Sequence, residues 1–356
     1  MDSISPSIPR ETLGKKARRY RLLQHVLSWL DRWLSWPLPP RPCLKISIPS
    51  TVSKSPGSIP LYFFTGPSKP ISEKRTVHHY VRRPALINFH GGGFTIGHAL
   101  DDSRWAGSVL QAYPDAVVIS VNYRLAPEHP FPVGIEDGVD TVLWLWEHAE
   151  EYNIDATKIA LCGDSSGGNF ALTVPLRLQE ELAKQGRLGT ETDIRLAGLL
   201  SFYPSTDWTK TRKERDMTNR ISRKKSMIPP GVFQLFDESY LLAETLPKKP
   251  GSDELDMSHP YLSPGVASTS LLLAAYPPNV SIYTCGWDQL LVEGNAFRER
   301  LRQLVAEGQM AHVGGLEIEN EIHGFDKKPT FWWTNETRDR MYGDAVQQLQ
   351  FMWKYY

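Results

Sequence analysis

The feature that most restricts how this chain can fold is a junction. The apolar run "KIALCG" (Lys158 to Gly163) passes directly into "GDSSGG" (Gly163 to Gly168), and a helical pattern follows from Asn169. The run reads as a strand. Gly163 and Gly167 flank Ser165, so a sharp strand-to-helix turn can form without Cβ clashes. Such a turn lifts one hydroxyl to the C-terminal edge of a sheet. The turn asks for a strand before it and a helix after it, the succession of an α/β chain.

The rest of the chain meets that requirement. "LKISIP", "IPLYFF", "PALINFH", "AVVISVNY", "RLAGLLSFYP", "VSIYTCG" and "LEIENEIH" also read as strands. Helical periodicity lies between the later ones, around Ser103–Tyr113, Gly134–Tyr152, Asn169–Lys184 and Val292–Glu307, and a last helix runs to the C-terminus. Alternation of this kind predicts an α/β fold with a mostly parallel sheet covered on both faces. Pro175 falls inside the helix after Ser165, where the lost hydrogen bond predicts a kink. Two segments lie outside the alternation. From Thr12 to Trp36, Leu22, Leu23, Val26, Leu27, Leu30, Trp33 and Leu34 recur at helical spacings among Lys and Arg. This predicts a helix packed on its own domain; a lid or a membrane-surface helix is the other reading. From Thr209 to Ser258 runs a polar insertion whose basic stretch "KTRKERDMTNRISRKK" is expected to be a solvated face, in a place where long insertions are functional or disordered.

Composition narrows the partners. Lys+Arg and Asp+Glu both number 40, so no global field recruits nucleic acid or an anionic membrane. A small or neutral partner is expected. Three widely spaced cysteines, Cys43, Cys162 and Cys285, give neither a disulfide framework nor a zinc pattern and suit a reducing compartment. No apolar run is long enough to span a membrane, and the N-terminal residues lack the apolar core of a signal peptide, so the chain reads as soluble and cytoplasmic. The sequons at Asn279 and Asn335 carry little weight in that setting.

A serine hydroxyl is a weak nucleophile and needs a base, which in turn needs a group that fixes its tautomer. Downstream of Ser165, "YTCGWDQLLVEG" places Asp288 just after an apolar strand, and "IENEIHGF" places His323 after the last one. Each has a duller reading, Asp288 as a helix cap and His323 as one of ten histidines. Their order after Ser165, each at a strand end, points instead to nucleophilic catalysis. Upstream, "HGGGF" puts Gly91, Gly92 and Gly93 after a strand. Backbone N–H groups must come within ~3 Å of an oxyanion, and side chains on that loop would obstruct them. Two of these glycines, Gly92 and Gly93 being favoured, are expected to act with the Ser166 N–H. His90 is expected to orient the loop through a hydrogen bond.

With "HGGGF", "YRLAPEHPFP", "GDSSGG", "GWDQL" followed by "EG", and "HGF", the chain resembles the hormone-sensitive-lipase-like α/β-hydrolase carboxylesterases from about residue 84 onward. The resemblance implies an eight-stranded sheet and a helical cap. On that basis residues 1–42 are N-terminal cap helices, 43–208 and 259–356 the catalytic core, and 209–258 the cap insertion. Trp29, Trp33, Phe233 and Phe236 would line an apolar pocket in the cap. Arg124 and Glu128 would support the turn at Ser165. The implied activity is hydrolysis of a small acyl or aromatic ester through an acyl-enzyme, with no cofactor and no metal, on a small-molecule partner. Acyl transferases and dehydratases of related fold keep a different acyl acceptor or reaction open. Gibberellin receptors also resemble the family but lack the histidine that stands here as His323. The position after the nucleophile, often alanine in the family, is Ser166.

Overall fold

Strands β3 (Arg83–Phe89), β4 (Val117–Val121), β6 (Gly198–Phe202) and β7 (Asn279–Cys285) are buried along nearly their whole length, and β5 (Ile154–Asp164) from Ile159 onward, in the computed structural model, which describes residues 8–35, 37–66, 82–226, 228–328 and 335–354. These strands read as continuous apolar runs because both faces of the sheet are covered. They lie parallel, with Ile87 opposite Leu161 and Leu161 opposite Leu199. The order across the sheet is β1-β2-β4-β3-β5-β6-β7-β8. β1 (Leu44–Pro49) and β2 (Ser58–Thr65) add an antiparallel edge, and β8 (His312–Gly314) closes the other side. A two-residue strand, β9 (Glu317–Ile318), pairs with the end of β7.

Side chains alternate across this sheet, so neighbours on one strand feed different cores. Ile87 faces a core completed by α3 (Val133–Glu147), α4 (Ser166–Lys184), α8 (Thr269–Ala275) and α9 (Leu291–Ala306). Leu86 faces the opposite core, which α2 (Ser103–Ala112) and α10 (Glu336–Lys354) close with Trp105, Leu349 and Trp353. Each such fully buried aliphatic or aromatic side chain is worth about 1.5–3 kcal/mol in removal from water. α4 continues through Pro175 as one helix. The Leu172 carbonyl within it accepts the Tyr276 hydroxyl at 2.8 Å, and Pro175 lines a cavity with Leu178 and Ile194 that Ser165 does not border.

Three expectations are corrected. The insertion folds into α5 (Arg212–Thr218), α6 (Arg220–Lys225) and α7 (Pro230–Tyr240). Its basic stretch is not a uniformly solvated face, because Arg215 is buried at 2.7 Å from the buried Glu293, and Arg212 forks onto Asp237. Arg124 does not hold the turn at Ser165: it pairs with buried Asp137 of α3 and reaches the Ser55 carbonyl in the β1–β2 loop. Glu128 binds Arg21 and Arg18 of the first helix, α1 (Arg10–Leu34). Finally, α1 forms and packs on its own domain as expected, but through its polar side, so Trp29 and Trp33 do not face into the cap. Only Leu13, Gly14 and Ala17 are buried on it, and Trp29 and Trp33 are each 55% exposed. The three cysteines are free, and Trp36 lies outside the described residues.

Candidate active site

β5 ends at Asp164 and α4 starts at Ser166, which leaves Ser165 alone to make the turn, at φ 54° and ψ −116°. A non-glycine residue in that region is strained, and such strain persists only where the surroundings fix it. Here they do. The Ser165 N–H donates to the Phe202 carbonyl at 2.9 Å, and Gly163 and Gly167 are packed so tightly that a Cβ on Gly167 would lie 2.0 Å from the Phe89 carbonyl oxygen. Asn169, one turn on, ties α4 to the loops beyond by donating to the Ser205 and Leu262 carbonyls at 2.8 and 3.1 Å.

Asp288 and His323 arrive from the ends of β7 and β9. His323 Nε2 lies 2.8 Å from Ser165 Oγ, and His323 Nδ1 lies 2.6 Å from Asp288 Oδ2. Asp288 is buried, and its other oxygen accepts the Leu290 N–H at 3.1 Å, so its rotamer is fixed from both sides. Asn219 of the insertion holds the same loop by donating to the Gly286 and Asp288 carbonyls. The Tyr203 ring meets the His323 ring edge-on at 4.9 Å. An acceptor carboxylate on Nδ1 makes that nitrogen the N–H and leaves Nε2 free to take the Ser165 proton.

The glycine loop stands opposite. The Gly91 N–H is already committed, donating to Asp164 Oδ1 at 3.1 Å, so Gly92 and Gly93 are the loop glycines left to face a substrate. Gly92 and Gly93 have φ of 116° and 58°, and a Cβ on Gly92 would lie 2.3 Å from the Ile96 carbonyl oxygen. His90 is buried, stacks on Tyr123 at 4.2 Å, and places Nδ1 2.7 Å from the Gly91 carbonyl, to which it donates. Burial pushes its pKa down, which keeps the ring neutral in a bracing position.

Beneath the turn lies a charge cluster that sequence reasoning missed. Lys327 Nζ contacts Asp102 and lies 3.2 Å from Asp164 and 3.4 Å from Asp326. Asp326 also accepts the Tyr203 and Tyr342 hydroxyls. Burial opposes the ammonium, but the three carboxylates outweigh it and hold the Lys327 pKa well above its ordinary value. Burial, then the Asp102 charge, raises that of Asp164. The position of Lys327, four residues after His323, was the one available signal. Glu293, the glutamate of the "EG" pair, was visible as part of a motif, but its role was not. It accepts the Thr206 and Asp207 N–H groups and pairs with Arg215, which joins α9 to the insertion.

The cleft above Ser165 takes in about 470 Å³ of space counted with its open mouth, and little of that is enclosed. Phe94, Trp208, Phe233, Phe236, Ile228 and Leu290 line it, with Arg212 and Arg215 at its wall already paired to carboxylates. Phe233 and Phe236 thus stand where the cap was expected to supply aromatic rings. Trp29 and Trp33 do not line it. Among the described residues there is no cluster of histidine, cysteine or carboxylate groups fit to hold a metal.

A family model described as the alpha/beta hydrolase fold matches residues 86–327. The chain is similar to the carboxylic ester hydrolase LipN of Mycobacterium tuberculosis, at 32% identity over 244 residues, 68% of this chain and 57% of that one. It is similar also to arylacetamide deacetylase of Bos taurus, at 31% identity over 273 residues, 65% of this chain and 67% of that one. A match to esterase LipI of Mycobacterium tuberculosis covers 43% of its length, so the chain spans about half the length of the first relatives it matches. Among solved structures, a hyperthermophilic esterase of Pyrobaculum calidifontis superposes with a TM-score of 0.67 at 22% identity, over 98% of this chain and 92% of that one.

Proposed function

The chain belongs to the hormone-sensitive-lipase-like branch of the α/β-hydrolase fold, and from that membership and the geometry at Ser165 we propose that it is a serine carboxylic-ester hydrolase. The observation that carries the proposal is His323 set between Ser165 Oγ and Asp288 Oδ2 at 2.8 and 2.6 Å. His323 takes the proton as Ser165 Oγ attacks the ester carbonyl. Asp288 stabilises the imidazolium, and His323 then protonates the leaving alkoxide. The oxyanion is held by the N–H groups of Gly92, Gly93 and Ser166. Water, activated by His323, then releases the acid from the acyl-enzyme. The names of the relatives, esterases and a deacetylase, support the reaction class.

The substrate is a small acyl or aromatic ester. A short cleft walled by Phe94, Trp208, Phe233 and Phe236 favours a compact apolar group over an extended chain, and the two arginines of its wall, Arg212 and Arg215, are neutralised by their carboxylate partners and do not select an acid. Intact-mass spectrometry after treatment with a small alkyl phosphonate ester tests the assignment, together with p-nitrophenyl acetate and butyrate turnover. One adduct on the wild type, none on Ser165→Ala, and matching loss of turnover are expected. An adduct that persists in the variant would overturn it.

A further inference from the structure

α1 is turned inside out. Arg21 donates to the Thr95 and Ala126 carbonyls at 2.8 and 2.6 Å, Gln24 and Ser28 donate to Asp101 at 2.6 and 2.7 Å, and Asp31 pairs with Arg104. These four recur every three or four residues and occupy one side of the helix. That polar side faces the domain. The opposite side carries Leu22, Val26, Trp29 and Trp33, with Leu23 and Leu27 beside them, each between 48% and 66% exposed. A surface helix of a globular protein normally turns its apolar side to the core. Here the inward hydrogen bonds fix the rotation, so water meets the apolar side.

Charge says what should cover that side. Lys16 and Arg19 are exposed seven residues before Leu23 and Val26, hence on the same outward side, and the Arg41 guanidinium lies 4.8 Å over the Trp33 ring at the far end. α1 as a whole has seven basic residues against two acidic ones, in a chain whose formal charge is zero. Among the described residues no helix is long and apolar enough to cross a membrane. Leucine and tryptophan flanked by lysine and arginine are what a helix lying in the plane of a phosphate-bearing lipid surface presents.

We propose that the outward side of α1 docks this protein on an anionic lipid surface. Leu22, Val26, Trp29 and Trp33 enter the headgroup boundary, while Lys16 and Arg19 meet lipid phosphates. The inward side of the same helix grips Thr95 and Asp101, in the segment that follows Gly91, Gly92 and Gly93. Docking therefore sets the glycine loop next to the membrane.

Co-sedimentation of the full chain with vesicles of phosphatidylcholine, alone or mixed with phosphatidylserine, tests this at low and high salt. Binding to the mixed vesicles that weakens with salt is expected. Each basic residue near an anionic surface is worth roughly fivefold in partitioning, so Lys16→Glu with Arg19→Glu should lose about twentyfold or more. Trp29→Ser with Trp33→Ser should lose at least roughly tenfold. Both variants should keep wild-type p-nitrophenyl butyrate turnover in solution, which reports folding apart from docking. Quenching of wild-type tryptophan fluorescence by brominated lipid tests the same contact without any substitution. A wild type that stays in the supernatant, or variants that sediment like it, would overturn the proposal. So would a dimer in analytical ultracentrifugation that the tryptophan variant dissociates, with no vesicle binding, which would assign this side to a second copy of the chain.

Discussion

Asp164 Oδ1 accepts the Gly91 N–H at 3.1 Å. The residue before the turn serine thereby sets the position of the loop that faces it, and Lys327, at 3.2 Å from the same oxygen, joins the His323 loop to both. Strand end, glycine loop and histidine loop are braced through one carboxylate. Asp164→Ala should lower kcat with little change in KM, because the donors misplaced act on the transition state and not on the bound ester. A drop of about 10–100-fold is expected, less than the roughly 10²–10³-fold that outright loss of an oxyanion donor costs. Asp164→Asn keeps an acceptor and should retain most of the rate. Steady-state kinetics with p-nitrophenyl butyrate decide; equal loss in both variants would place the importance in the charge.

Ser165, His323 and Asp288 should behave as a unit. Ser165→Ala and His323→Ala are each expected to reduce kcat by roughly 10⁴–10⁶-fold, and the double variant should be no worse than either single one, since removing one member already disables the others. Additive losses would mean that the two act in separate steps. Far-UV circular dichroism should be unchanged in all three, because Ser165 and His323 sit on loops whose backbone contacts survive.

Gly93 marks where the insertion presses on the glycine loop. A Cβ there would lie 2.2 Å from the Phe236 ring, and the residue holds φ 58°. Gly93→Ala should cost more than about tenfold in kcat/KM. Phe236→Leu added to it should restore part of that loss by opening space, whereas the backbone strain of about 1 kcal/mol remains. No restoration would place the whole effect on the backbone.

Much of the site was legible because it is punctuated by residues with narrow backbone options. Gly163 and Gly167 around Ser165, and Gly92 in the facing loop, are required by carbonyl oxygens 2.0–2.3 Å from where a Cβ would be. The parallel core was legible because β3 to β7 are buried on both faces and read as plain apolar runs. What escaped depends on pairing over long sequence separations. Nothing local says that Arg215 is buried against Glu293, or that Lys327 gathers Asp102, Asp164 and Asp326. The rotation of α1 escaped for a related reason. Periodicity locates two sides of a helix but does not say which one meets the protein, and the hydrogen bonds that decide it are made by Thr95, Asp101 and Ala126. "LEIENEIH" failed as a long strand because only Glu317 and Ile318 pair with β7.

In the proposed mechanism Ser166 acts through its N–H alone, which leaves its side chain without a part in the reaction. Ser166 Oγ is buried, and the Tyr123 hydroxyl beside it is already committed to the His90 carbonyl at 2.7 Å, so no full hydrogen bond satisfies the serine oxygen. A buried hydroxyl left unpaired costs about 1–3 kcal/mol. Ser166→Ala should therefore hold turnover within a few-fold of wild type and gain up to ~1 kcal/mol in urea unfolding. A thousandfold fall in kcat would instead give the hydroxyl a part in the reaction.

His98 should govern part of the acid sensitivity of the fold. It sits between the rings of His25 and Tyr62, and its Nδ1 accepts the Leu100 N–H at 3.1 Å, which requires that nitrogen to be unprotonated. Burial lowers its pKa from 6.5 to about 3, and the fixed charges of Arg32 and Lys45 act in the same direction. The folded chain thus resists a proton that the unfolded chain accepts. The corresponding stability is present in full above pH 6.5 and is lost as pH falls from there toward about 3. With ~1.4 kcal/mol per unit of pKa difference, the loss between about pH 7 and 5 is on the order of 2 kcal/mol from this residue. Asparagine can offer an oxygen to the same Leu100 N–H but cannot titrate in that range. His98→Asn should therefore show a flatter dependence of urea-unfolding free energy on pH over this window, whatever its absolute stability. Parallel curves for variant and wild type would show that His98 takes up its proton as readily in the folded chain as in the unfolded one.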